Sequence, residues 1–158
     1  MIEIQHINNG NPHLPTIKEL FGEYLTDLNE DLCFQHFDEE INNPLLKYAP
    51  PQGSLILALW NNEPAGCVAL QPLAEKGICE MKRLYVRPAF RMHGIGDMLV
   101  QQILSDAAAS GYHKMVLDTL SRLAAAIRLY ERYGFVHTSA YYANPLQNVI
   151  YMEKQLLR

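Results

Sequence analysis

The sequence predicts an α/β fold with one mixed, roughly seven-stranded sheet and helices on both faces. Three observations predict it. Residues 2–7 alternate apolar and polar side chains, as a half-buried strand does. Residues 54–86 contain three strand-like runs divided by turns, which indicates an antiparallel meander. A strand–helix–strand unit follows, and such a unit joins parallel strands through a right-handed crossover.

Helices are predicted between the first strand and the meander. Apolar residues recur at helical spacing over residues 15–29, which indicates an amphipathic helix. Phe34, Phe37 and Ile41 indicate a short second helix, and residues 45–48 are expected to form a short turn.

The remaining elements follow from the same patterns. Two more helices are predicted over residues 94–109 and 122–133, each ending near a glycine. The strands after the first are predicted over residues 54–60, 65–73, 78–86, 114–118, 135–142 and 148–155. Together these elements give the order β-α-(α)-β-β-β-α-β-α-β-β.

The composition indicates one soluble globular domain spanning residues 1–158. Apolar residues make up 49% of the chain and charged residues 19%, values typical of a globular protein. The net charge of −4 argues against a nucleic-acid partner bound through a basic surface. The start of the chain lacks a signal-peptide pattern, and no apolar run has membrane-spanning length, so we expect no membrane partner and a cytoplasmic location.

The cysteine and histidine residues give no sign of a metal site. Cys33, Cys67 and Cys79 are scattered and lack CxxC spacing, as expected of reduced thiols in a cytoplasm. The six histidines show neither i, i+4 nor HxH spacing. We therefore expect no bound metal and no cysteine nucleophile.

A turn with two glycines connects the strand at residues 78–86 to the next helix. Gly94 and Gly96 stand at the start of that helix, where free N–H groups and the helix dipole favour an anion, and Arg91 adds a positive charge. The turn is not a Walker loop, because no Gly-Lys-Ser/Thr follows, and Leu99 occupies the third glycine position of a Rossmann fingerprint. The pattern predicts a phosphate or pyrophosphate site, and a tight turn without a ligand is the alternative.

Two motifs resemble those of the GNAT superfamily of N-acetyltransferases. Arg91-x-x-Gly94-x-Gly96, following Leu84-Tyr85-Val86, resembles the acetyl-CoA motif of that family. The run from Ala124 to Phe135 resembles its second signature, Asn-x-x-Ala-x-x-Leu-Tyr-x-x-x-Gly-Phe. The resemblance covers residues 78–136 and implies transfer of an acetyl group from acetyl-CoA to an amine, with acetyl-CoA as cosubstrate and no metal.

The resemblance also implies which residues bind the cosubstrate. The sheet of this family is splayed between the strands that correspond here to residues 78–86 and 114–118. The pantetheine arm enters that gap and would pair with the backbone of Leu84, Tyr85 and Val86. The pyrophosphate would be held by Arg91, by the N–H groups of Met92, His93, Gly94, Ile95 and Gly96, and by Asp97.

Tyr130 occupies the position of the family tyrosine that protonates the leaving thiolate. A phenol suits this role, because its ordinary pKa of about 10 exceeds the thiol value of about 8.5. A packed helix aromatic is the alternative reading of Tyr130. Leu123 stands where the family usually has an asparagine that contacts the cofactor, so that contact is lost or replaced by Ser121.

Two carboxylates are candidates for the general base that removes the proton of the amine. Glu80 shares one face of its strand with Lys82, Leu84 and Val86 if period-two alternation holds, and a salt bridge to Lys82 or Arg83 is its alternative role. Asp118 ends the next strand, where a cap or turn role beside Thr119 is the alternative.

An aromatic pair, Tyr141-Tyr142, follows the second signature. It either lines the acceptor pocket or is a strand-end aromatic pair.

The resulting hypothesis is an N-acetyltransferase that acetylates a primary amine of a small molecule by direct attack in a ternary complex. A backbone N–H near Leu84 or Tyr85 would polarise the thioester carbonyl. Acetylation of a protein N-terminus or lysine is the alternative within the class, and a non-catalytic acetyl-CoA sensor is the alternative from another class. Many members of the family dimerise through the last strands, so the resemblance admits a homodimer.

Overall fold

The computed structural model describes residues 1–156 and contains a single seven-stranded sheet. The strands are β1 (Ile2–His6), β2 (Ser54–Trp60), β3 (Glu63–Pro72), β4 (Ile78–Val86), β5 (Lys114–Leu120), β6 (Val136–Thr138) and β7 (Val149–Gln155). Their spatial order is β1-β2-β3-β4-β5-β7-β6, and β4 and β5 are the parallel pair. The predicted mixed sheet is confirmed.

Five α-helices and two 3₁₀ turns connect the strands. The helices are α1 (Leu14–Leu28), α2 (Phe37–Asn42), α3 (Leu45–Tyr48), α4 (Ile95–Ala109) and α5 (Ala124–Arg132). The 3₁₀ turns are Cys33–Gln35 and Pro88–Phe90. No helix of residues 1–156 is both long and apolar enough to cross a membrane.

Alternation along the central strands divides the core into two layers. Leu55, Leu57 and Leu59 of β2 pack with apolar residues of α1, α2 and α3. Ile56 and Ala58 of the same strand pack with residues of α4. Successive side chains of a strand point to opposite faces, so the helices lie on both faces of the sheet, as predicted.

The sheet opens between β4 and β5. These parallel strands pair only from Ile78 opposite Lys114 to Glu80 opposite Val116. Beyond that point residues 81–86 and 117–120 separate, and residues of both strands line one cavity. The structure therefore contains the splay that the family resemblance implies.

A β-bulge at Arg83 changes which side chains of β4 share a face. Arg83 has a φ of 60°, and Tyr85 pairs with Cys67 while Lys82 pairs with Ala69, so β4 holds one extra residue. Leu84 and Val86 consequently pack on the α4 side. Lys82 instead bonds Gln35 on the side of α1 to α3. The expectation that Glu80, Lys82, Leu84 and Val86 share a face is therefore wrong.

Two predicted elements are shorter or divided in the structure. The predicted strand 135–142 ends at Thr138, because Tyr141 and Tyr142 turn across the sheet to donate hydrogen bonds to Glu80 and Asp118. The predicted second helix is divided at His36, whose φ of 57° separates the 3₁₀ turn from α2.

Smaller differences concern element ends. The strand predicted over 114–118 continues to Leu120 because its pairing with β7 extends that far. The helix predicted from residue 122 begins at Ala124. The meander strand predicted from residue 65 begins at Glu63, because Asn61 and Asn62 both adopt positive φ and close a two-residue hairpin turn.

Candidate active site

The glycine turn leaves the amino end of α4 uncapped by any side chain. Gly94 is the N-cap residue and has a φ of 78°, which favours glycine. A Cβ on Gly94 would meet no atom within 4 Å, so the space in front of the helix is open. A Cβ on Gly96 would lie 3.2 Å from Leu129 Cδ2 of α5. Gly94 thus shapes the turn, and Gly96 lets the two helices approach closely.

The cation of Arg91 and the stacked rings of His93 and Trp60 lie around the turn. Arg91 Nε donates to the carbonyl oxygen of Val86 at 2.9 Å, and Nη2 lies 3.5 Å from Asp27. Met92 is 99% exposed. His93 stacks on Trp60 with ring centroids 4.6 Å apart. The half-exposed guanidinium of Arg91 is therefore next to the carboxyl end of β4, beside the uncapped helix.

The side chain of Asp97, in the first turn of α4, is bonded within the protein. Its Oδ1 accepts hydrogen bonds from Arg132 and from the Tyr133 hydroxyl, each at 3.0 Å. The carboxylate thus connects α4 to α5. Asp97 can offer an anion only its backbone N–H, because a carboxylate would repel a phosphate.

A cavity of about 90 Å³ occupies the splay. Its lining includes Tyr24, Lys82, Arg83, Leu84, Asp118 and Tyr130. Burial raises the pKa of the Tyr130 phenol, and Tyr24 and Asp118 raise it further. The phenol therefore remains protonated at neutral pH. Leu123 also lines this cavity, so an apolar side chain is present where the family usually has asparagine.

Tyr130 combines packing with access to the splay. Its ring packs edge-to-face against Phe135, with centroids 5.9 Å apart. The same residue belongs to the lining of the splay cavity. Core packing fixes the ring, and the cavity gives the side chain a route to a bound molecule.

A second cavity of about 610 Å³ adjoins the splay and contains Glu80. Glu80 is 4% exposed. Its Oε1 accepts from Gln71 at 2.7 Å, and its Oε2 accepts from the Tyr141 hydroxyl at 2.5 Å. The salt bridge that was the alternative role of Glu80 is present but long, with Lys82 Nζ 3.9 Å from Glu80 Oε2. Lys82 lines both cavities and so marks the place where they meet.

The loop after β6 joins both candidate carboxylates. Tyr142 donates its hydroxyl to Asp118, and Asn144 Nδ2 donates to the same oxygen at 2.9 Å. Tyr141 and Tyr142 pack with Tyr151 of β7. Both tyrosines also line the larger cavity. The aromatic pair is therefore part of the cavity wall and not of a strand end.

A buried ion pair beneath the bulge was missed by the sequence analysis. Glu40 accepts from Arg83 Nε at 2.6 Å and from Nη2 at 2.9 Å. The guanidinium lies 4.6 Å from the ring centroid of Phe37. Arg83 therefore pairs with Glu40 and not with Glu80. The one signal in the sequence is that Glu40 follows Phe37 by three residues, which places both on one helix face.

The three thiols are poorly suited to nucleophilic attack. Burial raises the pKa of Cys67, and it raises that of Cys79 to about 12. A hydrogen bond with Asp31 raises the pKa of the exposed Cys33. The thiolate is the nucleophilic form of cysteine, so these groups do not favour a covalent enzyme intermediate. Among residues 1–156, no group of three or more His, Cys, Asp and Glu side chains is placed to hold a metal ion.

Comparison with known proteins agrees with the motifs and the splayed sheet. Residues 14–135 match the model of the acetyltransferase (GNAT) family. An uncharacterized N-acetyltransferase of Schizosaccharomyces pombe is 46% identical over 144 residues, which cover 90% of this chain and 88% of that protein.

Solved structures share the fold over nearly the whole chain. An acetyltransferase from Streptococcus agalactiae superposes with a TM-score of 0.79 at 22% identity, covering 98% of both chains. The PaiA N-acetyltransferase from Thermoplasma acidophilum, solved in complex with coenzyme A, gives 0.71 at 17% identity and covers 98% of this chain and 99% of that one. The chain therefore belongs to the GNAT family of acetyltransferases.

Proposed function

We propose that this enzyme acetylates a primary amine of a small molecule by direct attack on acetyl-CoA in a ternary complex. The observation that supports this most is the junction of two cavities. The splay cavity contains Tyr130 and Asp118, and the larger one contains Glu80. An acetyl donor in the splay and an amine acceptor in the larger cavity would thus meet where the two cavities join.

The residues of the splay and the glycine turn fit acetyl-CoA. The uncapped amino end of α4, with open space at Gly94 and with Arg91 nearby, suits the pyrophosphate. Residues 84–86 have no partner strand on the β5 side in the described chain, so their backbone can pair with the pantetheine amides. When bound, acetyl-CoA supplies the activated acetyl thioester.

Each chemical role can be assigned to a residue at the junction. Glu80 acts as general base, directly or through a water, and takes the proton of the amine. A backbone N–H at the Arg83 bulge, from Leu84 or Tyr85, polarises the carbonyl. Tyr130 gives its proton to the leaving thiolate. Asp118, which we keep as the alternative base, holds the loop through Tyr142 and Asn144.

The size of the larger cavity supports a small acceptor. Its volume of about 610 Å³ lies within the range of about 300–1,000 Å³ that is typical of small-molecule sites. Tyr141 and Tyr142 form part of its wall. A peptide side chain or terminus would have to enter the same space, and this makes a protein acceptor the second choice.

The test is an acceptor screen with a matched pair of variants. The purified chain would be given acetyl-CoA with small primary amines, lysine peptides and free N-terminal peptides, and thiol release would be measured. We expect turnover on small amines, and we expect Glu80→Gln to lower kcat by about 100-fold without changing the Kd of CoA. Glu75→Gln, an exposed carboxylate of the same cavity, should retain activity.

Each other result would contradict a defined part of the proposal. Turnover confined to peptides would replace the small acceptor with a protein. CoA binding without turnover on any amine would indicate a sensor. Full activity of Glu80→Gln together with loss in Asp118→Asn would move the base to Asp118.

A further inference from the structure

We propose that the acceptor carries a carboxylate next to its amine, as an amino acid does, and that Lys82 binds that carboxylate. The inference rests on the proposed function and names the class of its acceptor. It follows from the few hydrogen bonds that one buried ammonium group makes and from its position between the two cavities.

Lys82 is buried, and its ammonium makes few hydrogen bonds to the protein. The residue is 7% exposed, although lysine is almost never buried unless it is paired. An ammonium group has three N–H donors. Among the described residues, the acceptor within hydrogen-bond distance is Gln35 Oε1 at 3.1 Å. Glu80 Oε2 is 3.9 Å away, too far for a hydrogen bond. The ammonium therefore has donors left for a ligand.

The other two lysines of the larger cavity depend less on a ligand, one because the protein accepts from it twice and the other because water reaches it. Lys47 Nζ donates to the carbonyl oxygen of Gln35 at 2.6 Å and to Glu40 at 3.3 Å. Lys114 lies 3.7 Å from Glu153 and is more exposed than Lys82. Of these three lysines, Lys82 would therefore gain most from a hydrogen bond to a bound anion.

The charges at the junction complement a zwitterion. Glu80 and Lys82 have opposite charges and line the same cavity, and their charged atoms are 3.9 Å apart, a long ion pair without a hydrogen bond. An α-amino acid has its amine and carboxylate on one carbon, so it could place the amine at Glu80 and the carboxylate at Lys82. A plain alkylamine would compete with Lys82 for the charge of Glu80 and bring no negative charge of its own, which is costly at a buried site.

Burial also makes the carboxylate favourable for Lys82 itself. Loss of hydration lowers the pKa of this ammonium, and the charge of Glu80 only partly offsets that effect. A bound carboxylate would add a second negative charge at close range and stabilise the protonated form.

The experiment compares acceptors that differ only in the carboxylate. The common L-amino acids and their carboxamides would be tested with acetyl-CoA for turnover, and with CoA-loaded enzyme for binding by calorimetry. We expect kcat/KM for the best amino acid to exceed that of its carboxamide by at least about 10-fold, the effect of one charge-assisted hydrogen bond. Lys82→Met should bring this ratio close to 1, because kcat/KM should fall more for the amino acid than for the carboxamide.

The control and the contrary results separate this inference from the proposed function. Lys114→Met removes another lysine of the same cavity and should keep the ratio. Equal turnover of acids and carboxamides would overturn the inference and leave acetyl transfer standing. Carboxylate-dependent binding that needs Lys82, without turnover, would support the inference and overturn the transfer. Absence of both binding and turnover for all these compounds would overturn the inference.

Discussion

A single residue, Arg83, sets the geometry of the splay edge. A non-glycine residue held at positive φ costs about 1–3 kcal/mol, and Arg83 has a φ of 60°. Its guanidinium is held by two hydrogen bonds to Glu40 and lies over the ring of Phe37. The bulge reverses the alternation of β4, so Leu84 and Val86 pack towards α4 and Lys82 lies on the side of α1 to α3.

Tyr130 provides the test of general acid catalysis at the residue scale. Tyr130→Phe keeps the ring that packs on Phe135 and removes only the hydroxyl. We expect kcat to fall by about 100-fold, because a positioned general acid contributes about that much or more. The Kd of CoA should be unchanged in calorimetry. Tyr112→Phe, which removes a buried hydroxyl bonded to Gln52 away from the splay, is the control. Unaltered turnover in Tyr130→Phe would assign the residue to packing alone.

Local patterns predict some residues of the candidate site and not others. The glycines were identifiable because positive φ and close helix packing restrict side chains at those positions. Tyr130 was identifiable because it belongs to a motif. The Glu40–Arg83 pair joins residues 43 positions apart, and no local periodicity reports such a contact. The bulge escaped prediction because arginine, unlike glycine, does not signal positive φ.

At the scale of elements, the predictions succeed where local forces decide. The bounds of β2 and β4 agree with the predicted ranges 54–60 and 78–86, because apolar runs between clear turns define those strands. The predicted strand 135–142 fails because hydrogen bonds from Tyr141 and Tyr142 to distant carboxylates outweigh its strand propensity. Tertiary contacts of this kind override local preference.

The Glu40–Arg83 pair joins α2 to β4, and it should make the stability of the fold depend on pH. Burial alone would raise the pKa of Glu40, but the hydrogen bonds and charge of Arg83, with Lys47, lower it overall. A carboxylate with a lowered folded pKa stabilises the protein above its unfolded pKa, about 4.3, and this stabilisation is lost as the pH falls through the folded value.

Urea unfolding at a series of pH values would measure this contribution. We expect Glu40→Gln to lower the free energy of unfolding by about 3 kcal/mol at neutral pH, since it leaves Arg83 buried without its counter-ion. The difference from the unmodified chain should shrink as the pH falls below about 4. Glu39→Gln changes an exposed neighbour on the same helix and should have little effect. A constant difference across the pH range would show that the pair does not govern acid stability.

At the scale of the whole molecule, the splay lies between the two halves of the chain. The first half provides the α1 to α3 layer and the meander, and the second provides α4, α5 and the last strands. Within the sheet, the halves are joined by the short pairing of β4 with β5, which ends at Glu80 and Val116, and α4 packs across β2 and β3. A ligand whose amides pair with the free edge of β4 would fill the gap between them. The opening that makes the site possible therefore also leaves stability to be gained on binding.

Thermal unfolding with acetyl-CoA tests this last point. At about 100 times its Kd, a ligand of the folded state adds about 2.7 kcal/mol, which corresponds to a rise in Tm of about 5–10 °C for a chain of this size. Gly94→Ala should reduce the rise, because a Cβ at positive φ strains the turn and occupies the space in front of α4. Gly10→Ala is a matched control. Gly10 also has positive φ and open space around its Cα, but it belongs to the loop after β1 and not to the glycine turn. Equal acetyl-CoA shifts in the two variants would show that the turn at Gly94 does not hold the pyrophosphate.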